Sequence, residues 1–370
     1  MVLVVFALAC VAATELAESV LPAGAIGIPA FWPPVGLLLA ALARTARRRW
    51  PAFVLIAIAI PLVSMAAVHG RPLSYAVTVA LVPAAEAIAA AWLLQRFVEG
   101  PVTLNRVSHA WTLILVATLV PMAGGVLTVQ LLDATTPFAT AWRAWWLTDT
   151  VGMLLIAPLA MAASAISRDH FRHLAWSWHG LEFGLALAGA LVMSLGVFGD
   201  RFDPLVRVPA YILPFLMWPP FRFGPGGSAA VLFVASVVGV MSTADALGPF
   251  VLAGASPENW LMRSQGAVGM ASASFLLLSS VVAERRLAEL EKAQLVTDLQ
   301  QAVMEIKTLQ GMIPICAWCH KVRDDAGFWQ RLETYLDERT DATFSHSICP
   351  SCANTQHERV EKISGQAWRI

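Results

Sequence analysis

From Val2 to Ala283 the chain is written in apolar blocks of about 20 residues joined by short polar stretches, the length a helix needs to cross the hydrocarbon of a bilayer. Inside lipid every backbone N–H and C=O must find a partner within the protein, and a helix achieves this segment by segment. Composition agrees: 58% of residues are hydrophobic and 14% charged, against about 45–50% and about 25% in soluble domains. The pattern predicts an all-α polytopic membrane bundle of about 8–10 transmembrane helices. Formal net charge is zero, so nothing favours nucleic acid as a partner.

The expected spans cover 2–20, 31–43, 51–68, 74–95, 109–131, 145–165, 181–199, 208–222, 227–247 and 265–283. The N-terminus lacks a basic region and Glu15 interrupts its apolar run, which favours a retained helix over a cleaved signal. The second span is short and opens on "FWPPVG", a pattern for a broken or re-entrant segment; the eighth ends on a similar break, "WPPFRFGPGG".

With ten spans, Arg44, Arg47, Arg48, Arg49, Arg96, Arg106, Arg168, Arg172, Arg222, Arg285 and Arg286 share one side. The positive-inside rule makes that side cytoplasmic and puts both termini there. Arg71, Arg143, Arg201, Arg207 and Arg263 fall opposite, beside Asp133, Asp200, Asp203 and Glu258. Trp32, Trp50, Trp111, Trp142, Trp145, Trp176, Trp178, Trp218 and Trp260 lie near span ends, as interfacial anchors do. Glu15, Glu18, Glu86 and Asp149 fall inside spans and should face the bundle interior. Glu86 and Asp149 read equally as a ligand, proton or ion site and as interhelical packing groups; Glu15 and Glu18, near a span end, read as packing.

Four stretches carry a resemblance: "FWPPVGLLLAALARTARRRWPAF", "VPAAEAIAAAWLLQRF", "WWLTDTVGMLLIAPLAM" and "PAYILPFLMWPPFRFGPGGSAAVLF". Together they resemble MASE1, a bacterial membrane-associated sensor domain, over most of 1–285. The family usually reads Gly-Asp where this chain has Thr148-Asp149, so helix approach at that turn is expected to differ. The resemblance implies an integral sensory region ahead of a cytoplasmic output. The outputs usual after that domain, a GGDEF or EAL domain or a kinase with glycine boxes, have no counterpart in this sequence. His357, followed by Glu358, reads as a surface histidine.

Residues 284–311 contain no Gly or Pro before Gly311. Leu295, Leu299, Ala302, Ile306, Leu309 and Ile313 alternate at spacings of four and three, a short coiled-coil seam. A membrane helix running into such a seam predicts a homodimer; the alternative is an amphipathic helix packing on the tail.

Cys316/Cys319 and Cys349/Cys352 are paired CxxC motifs. Four thiolates so spaced suit tetrahedral zinc, with His346 as a substitute ligand or a hydrogen-bonding neighbour. A module of about 45 residues has too little core to stand without such a staple. A thiol redox pair is the competing reading. The "CAWCH" run also matches a c-type haem hook, but that reading leaves the second pair unexplained. Between the pairs, Phe328, Leu332 and Tyr335/Leu336 have helical spacing, "DDAG" forms a turn, and 342–347 suits a short strand. The stretch from Met312 to Cys352 resembles a small C-terminal module that follows receiver and PAS domains in bacterial signalling proteins. Arg323, Asp324 and Asp325 are its candidate docking surface or, equally, its turn-forming cluster.

The expected organisation is a membrane sensor domain over 1–283, a signalling helix over 284–311, a small α+β zinc-knuckle-like module over 312–356 and a polar tail over 357–370. The expected function is a non-enzymatic sensor or adaptor of the bacterial inner membrane, surrounded by lipid and acting on an unknown signalling partner. A transporter or channel using Glu86 and Asp149, and a thiol redox sensor, are the alternatives.

Overall fold

The computed structural model describes residues 2–20, 27–132, 136–165, 177–199, 209–310, 313–324, 326–339 and 343–366. Two compact units form, Met1–Leu290 and Glu291–Ile370. In the first, the helices are α1 (Val2–Glu15, extended by a π-turn over Leu16–Val20), α2 (Pro33–Ala43), α3 (Trp50–Val63, with a π-turn over Ser64–Val68), α4 (Leu73–Phe97), α5 (Val107–Leu131), α6 (Phe138–Ala165), α7 (Trp178–Phe198), α8 (Leu213–Arg222), α9 (Gly224–Ala244) and α10 (Pro257–Gln310). Among the described residues, eight segments are long and apolar enough to cross a membrane. The other two of the ten expected spans are α2, with 11 residues, and α8, with 10. At 1.5 Å per residue each reaches roughly 16 Å, about half the hydrocarbon thickness.

Helix α2 explains its own brevity. Pro33 and Pro34 occupy its first turn, where missing N–H groups cost nothing. Ahead of it the chain is non-helical from Gly27 to Trp32. The Trp32 N–H donates to the Thr148 carbonyl (3.3 Å), and at the far end Arg44 donates to the Met161 carbonyl. So α2 runs beside only the second half of α6, and its N-terminus starts deep in the bundle. The two backbones meet at glycines: a Cβ on Gly152 would overlap the Trp32 carbonyl, and one on Gly36 the Gly152 carbonyl. Small residues of this kind let membrane helices pack backbone to backbone. Around this pair α2 also packs on α1, α3 and α4, α6 on α5 and α9, and α9 on α7 and α8.

One end of the bundle gathers the basic joints. Gln95, near the end of α4, donates to the Leu42 and Thr45 carbonyls (3.0 and 3.2 Å) and accepts from Arg47 (3.2 Å). Arg286 donates to the Phe221 carbonyl, and Glu284 accepts from the Val107 N–H (2.7 Å). Arg168, Arg172, Arg201, Arg207, Asp133, Asp200, Asp203 and Trp176 lie outside the described residues.

Several expectations are corrected. Trp32 and Trp145 are buried core residues rather than interfacial anchors. Trp32 caps the half-helix, and α6 begins at Phe138, two turns before Trp145. The last span begins at Pro257 rather than at 265, and its helix continues past position 283 as expected.

In the second unit, β1 (Val322–Arg323) and β2 (Trp329–Gln330) pair antiparallel, followed by α11 (Leu332–Asp337) and α12 (Pro350–Gln366). Phe328 precedes β2 rather than joining the helix, and positions 343–347 carry no strand, since β1 and β2 pair with each other. Helix α12 continues past position 357. Ile313, the last residue of the expected seam, lies beyond the end of α10.

Candidate functional site

Glu86 sits in the middle of α4 and Asp149 in the first half of α6, 4% and 3% exposed. Their carboxyls face each other. Gly124 of α5 makes the room: a Cβ there would overlap the Glu86 carboxyl. Asp149 is held by its neighbour. Thr148 Oγ1 donates to the Pro29 carbonyl (3.0 Å) and accepts from Gln265 Nε2 (3.3 Å), which also donates to the Ala30 carbonyl (2.7 Å). Thr148 thus ties α6, the entry to α2 and α10 together. Glu86 Oε1 and Oε2 and Asp149 Oδ1 have no hydrogen-bond donor.

Glu15 and Glu18 are placed differently. Glu15 accepts from Ser64 Oγ (2.7 Å) and lies 3.2 Å from His69 Nε2. Glu18 pairs with Arg71 (3.1 Å), whose guanidinium stacks over Tyr75. These contacts tie the ends of α1 and α3 to the start of α4, which is the packing role. Cys10 is buried in the core of the same bundle.

At the basic end lies a cavity of about 770 Å³, bordered by Arg44, His179, Arg222 and Arg286. Its cations are partly spent: Arg222 pairs with Glu182 (2.8 Å), while Arg44 and Arg286 hold carbonyls.

In the second unit each CxxC is folded locally. The first lies in a tight loop, with Cys316 N–H donating to the Lys321 carbonyl (2.8 Å) and His320 N–H to the Cys316 carbonyl (2.9 Å). The Ile315–Val322 bridge closes this loop. The Cys319 and Trp318 backbone N–H groups hold the Cys316 thiol below its ordinary range. The second pair straddles the start of α12. There the Ser351 hydroxyl, followed by the Cys352 N–H, draws the Cys349 thiol down to about 7. Both environments favour thiolate, the form that binds zinc. Among the described residues no three His, Cys, Asp or Glu side chains gather at metal-binding distance, and His346 is exposed in the run before Cys349. Asp324 closes the "DDAG" turn: its Oδ1 accepts from the Phe328 N–H (2.8 Å), and its carbonyl from Gly327 N–H (3.1 Å). Arg323 is exposed in β1, and Asp325 lies outside the described residues.

Sequence reasoning found the two acids and marked Thr148 beside one of them, but missed Gly124 and Gln265. Only a glycine facing a long acid, and polar groups in mid-span, could have signalled them.

Eight long apolar helices around a buried pair of acids define a polytopic α-helical membrane protein. Its family follows from comparison: the MASE1 family model matches residues 1–286, and the chain belongs to that family of membrane-associated sensor domains. No curated protein and no solved structure matches the chain.

Proposed function

We propose that this protein is a non-enzymatic sensor or adaptor of the bacterial inner membrane, in which the bundle receives a stimulus and α10 hands it to the C-terminal module. The observation that carries this reading is the continuity of α10. One helix of 54 residues starts at Pro257 inside the sensor domain and ends at Gln310, just ahead of the cysteine module. A shift or rotation of its membrane half is passed along the backbone hydrogen bonds to its polar half.

The basic residues at one end of the bundle support a cytoplasmic location for that end and for the module. Leu295 and Leu299 support a homodimer, being 68% and 66% exposed on the single chain at seam positions. Cys316, Cys319, Cys349 and Cys352 would hold one structural zinc ion, which supplies the module's missing core, with His346 beside them. Arg323, Asp324 and Asp325 offer the surface for the signalling partner.

The test is photo-crosslinking in native membranes. A photoreactive residue at Leu299 should give a dimer, whereas one at Gln300, off the seam, should not. Monomer at both positions would remove the dimeric relay. Capture of a signalling protein by a photoreactive residue at Arg323 would identify the output.

A further inference from the structure

We propose that Glu86 and Asp149 form a proton-binding site in the middle of the bundle, a carboxylic acid–carboxylate pair that shares one exchangeable proton. This inference is independent of the sensor reading.

The argument starts from the unmatched oxygens. Both side chains are more than nine-tenths buried, and three of their four oxygens have no donor. Ionised carboxylates only accept hydrogen bonds. Two of them facing each other can neither satisfy one another nor cancel their like charges, and the low permittivity of the site magnifies the repulsion. One proton resolves both difficulties. It turns the contact into a short charge-assisted O–H···O⁻ bond and removes one of the two charges.

No neighbouring base can do this instead. Helices α2, α3 and α9 contain no ionisable residue. On α5 the only one is His109, roughly four turns from Gly124. On α6, Arg143 is exposed and donates to the Ala139 carbonyl (2.9 Å). On α10, Arg263 is exposed and Gln265 is neutral. On α4, Arg96 lies at the far end, and Tyr75 donates to the Gly27 carbonyl (3.3 Å).

The packing selects the size of the ligand. The Glu86 carboxyl already fills the space a side chain on Gly124 would need. No third acidic or metal-binding side chain joins the pair among the described residues. A proton needs no coordination shell, whereas a metal cation does. The ion pair Glu18–Arg71 lies beyond Tyr75, whose ring packs 6.2 Å from the buried Trp145, one turn before Asp149, so apolar ring surface separates that ion pair from the acids.

Infrared difference spectroscopy on the full-length protein in lipid nanodiscs tests this. At neutral pH the exposed acids are ionised, so a protonated-carboxyl C=O band belongs to a buried pair. We expect one such band, shifted in D₂O, discharged on alkaline titration, and altered or lost in both Glu86→Gln and Asp149→Asn. Absence of the band from the wild type overturns the proposal without recourse to any variant. So does a band indifferent to both substitutions. Melting temperature gives an independent readout. The folded state holds a proton that the unfolded chain releases, so stability should fall as pH rises through release of that proton. Glu86→Gln should flatten the dependence. Stabilisation by added Na⁺ at fixed pH, without the carboxyl band, would make this a metal-cation site and overturn the assignment.

Discussion

The unit up to Leu290 closes around a core that runs from Phe6 to Leu276, whereas in Glu291–Ile370 the only buried side chain among the described residues is Val322. The first has enough apolar matter to bury two facing carboxyls. The second orders a loop, a two-stranded ribbon and two helices with almost nothing inside. Polar groups in the bundle are held because the surrounding helices leave them nowhere to go. Structure in the module rests on backbone hydrogen bonds at its turns and, on our reading, on a metal. A bundle of this kind should therefore fail by loss of packing and the module by loss of its ligands.

The largest effect that separates them is Cys316→Ser. Metal analysis of the purified full-length protein should fall from about one zinc per chain to none. Limited proteolysis should then cut freely beyond Gln310 while the bundle stays protected. A zinc-free wild type whose module resists protease would break the comparison at its weaker half. The matching lesion in the bundle is Gly152→Leu. Its side chain would drive α6 off the Trp32 carbonyl, an overpacking cost on the order of 3 kcal/mol. The melting temperature of the solubilised bundle should drop, with zinc content unchanged. Gly184→Leu is the control, because nothing lies within 4 Å of a Cβ at that position. Leu is the better helix former, so Gly184→Leu should not lower stability, and equal losses from both substitutions would mean that the close crossing is not what Gly152 protects.

How much of this could be read beforehand follows the same division. Hydropathy located the long spans, and "FWPP" announced the interrupted one, because both depend on local composition. The two acids were legible because ionised groups are costly in lipid wherever they lie. Which face each residue presents was not legible. Trp32 and Trp145 looked like interfacial anchors; the depth at which α2 begins turns the first inward, and the early start of α6 at Phe138 the second. The crossing at Gly36 and Gly152 depends on residues more than a hundred positions apart. In the module the cysteine spacing was plain, but of the strand expected over 342–347 the described positions 343–347 form none. So short a segment has too weak a pattern to choose its partner, and β1 and β2 had already taken each other. The helix that carries the expected seam positions was legible as far as Leu309, and the last of those positions, Ile313, lies beyond its end.

A smaller effect probes the module without touching its cysteines. His320 closes the first CxxC loop with φ of 53°, the left-handed region that a side chain with a Cβ enters at a cost of about 1 kcal/mol. Its N–H is already used, donating to the Cys316 carbonyl (2.9 Å), so the turn requires this backbone shape and not an imidazole. His320→Gly should therefore stabilise the module by up to about 1 kcal/mol, less whatever glycine loses by its freer unfolded state. Slower proteolysis beyond Gln310, at unchanged zinc content, would show it. The haem-like reading of "CAWCH" requires the opposite, since there the histidine is a ligand and its loss must disrupt the site. One substitution thus separates a residue kept for its place in a turn from one kept for its ring. The outcome also measures how far local backbone geometry, rather than burial, sets the stability of the module.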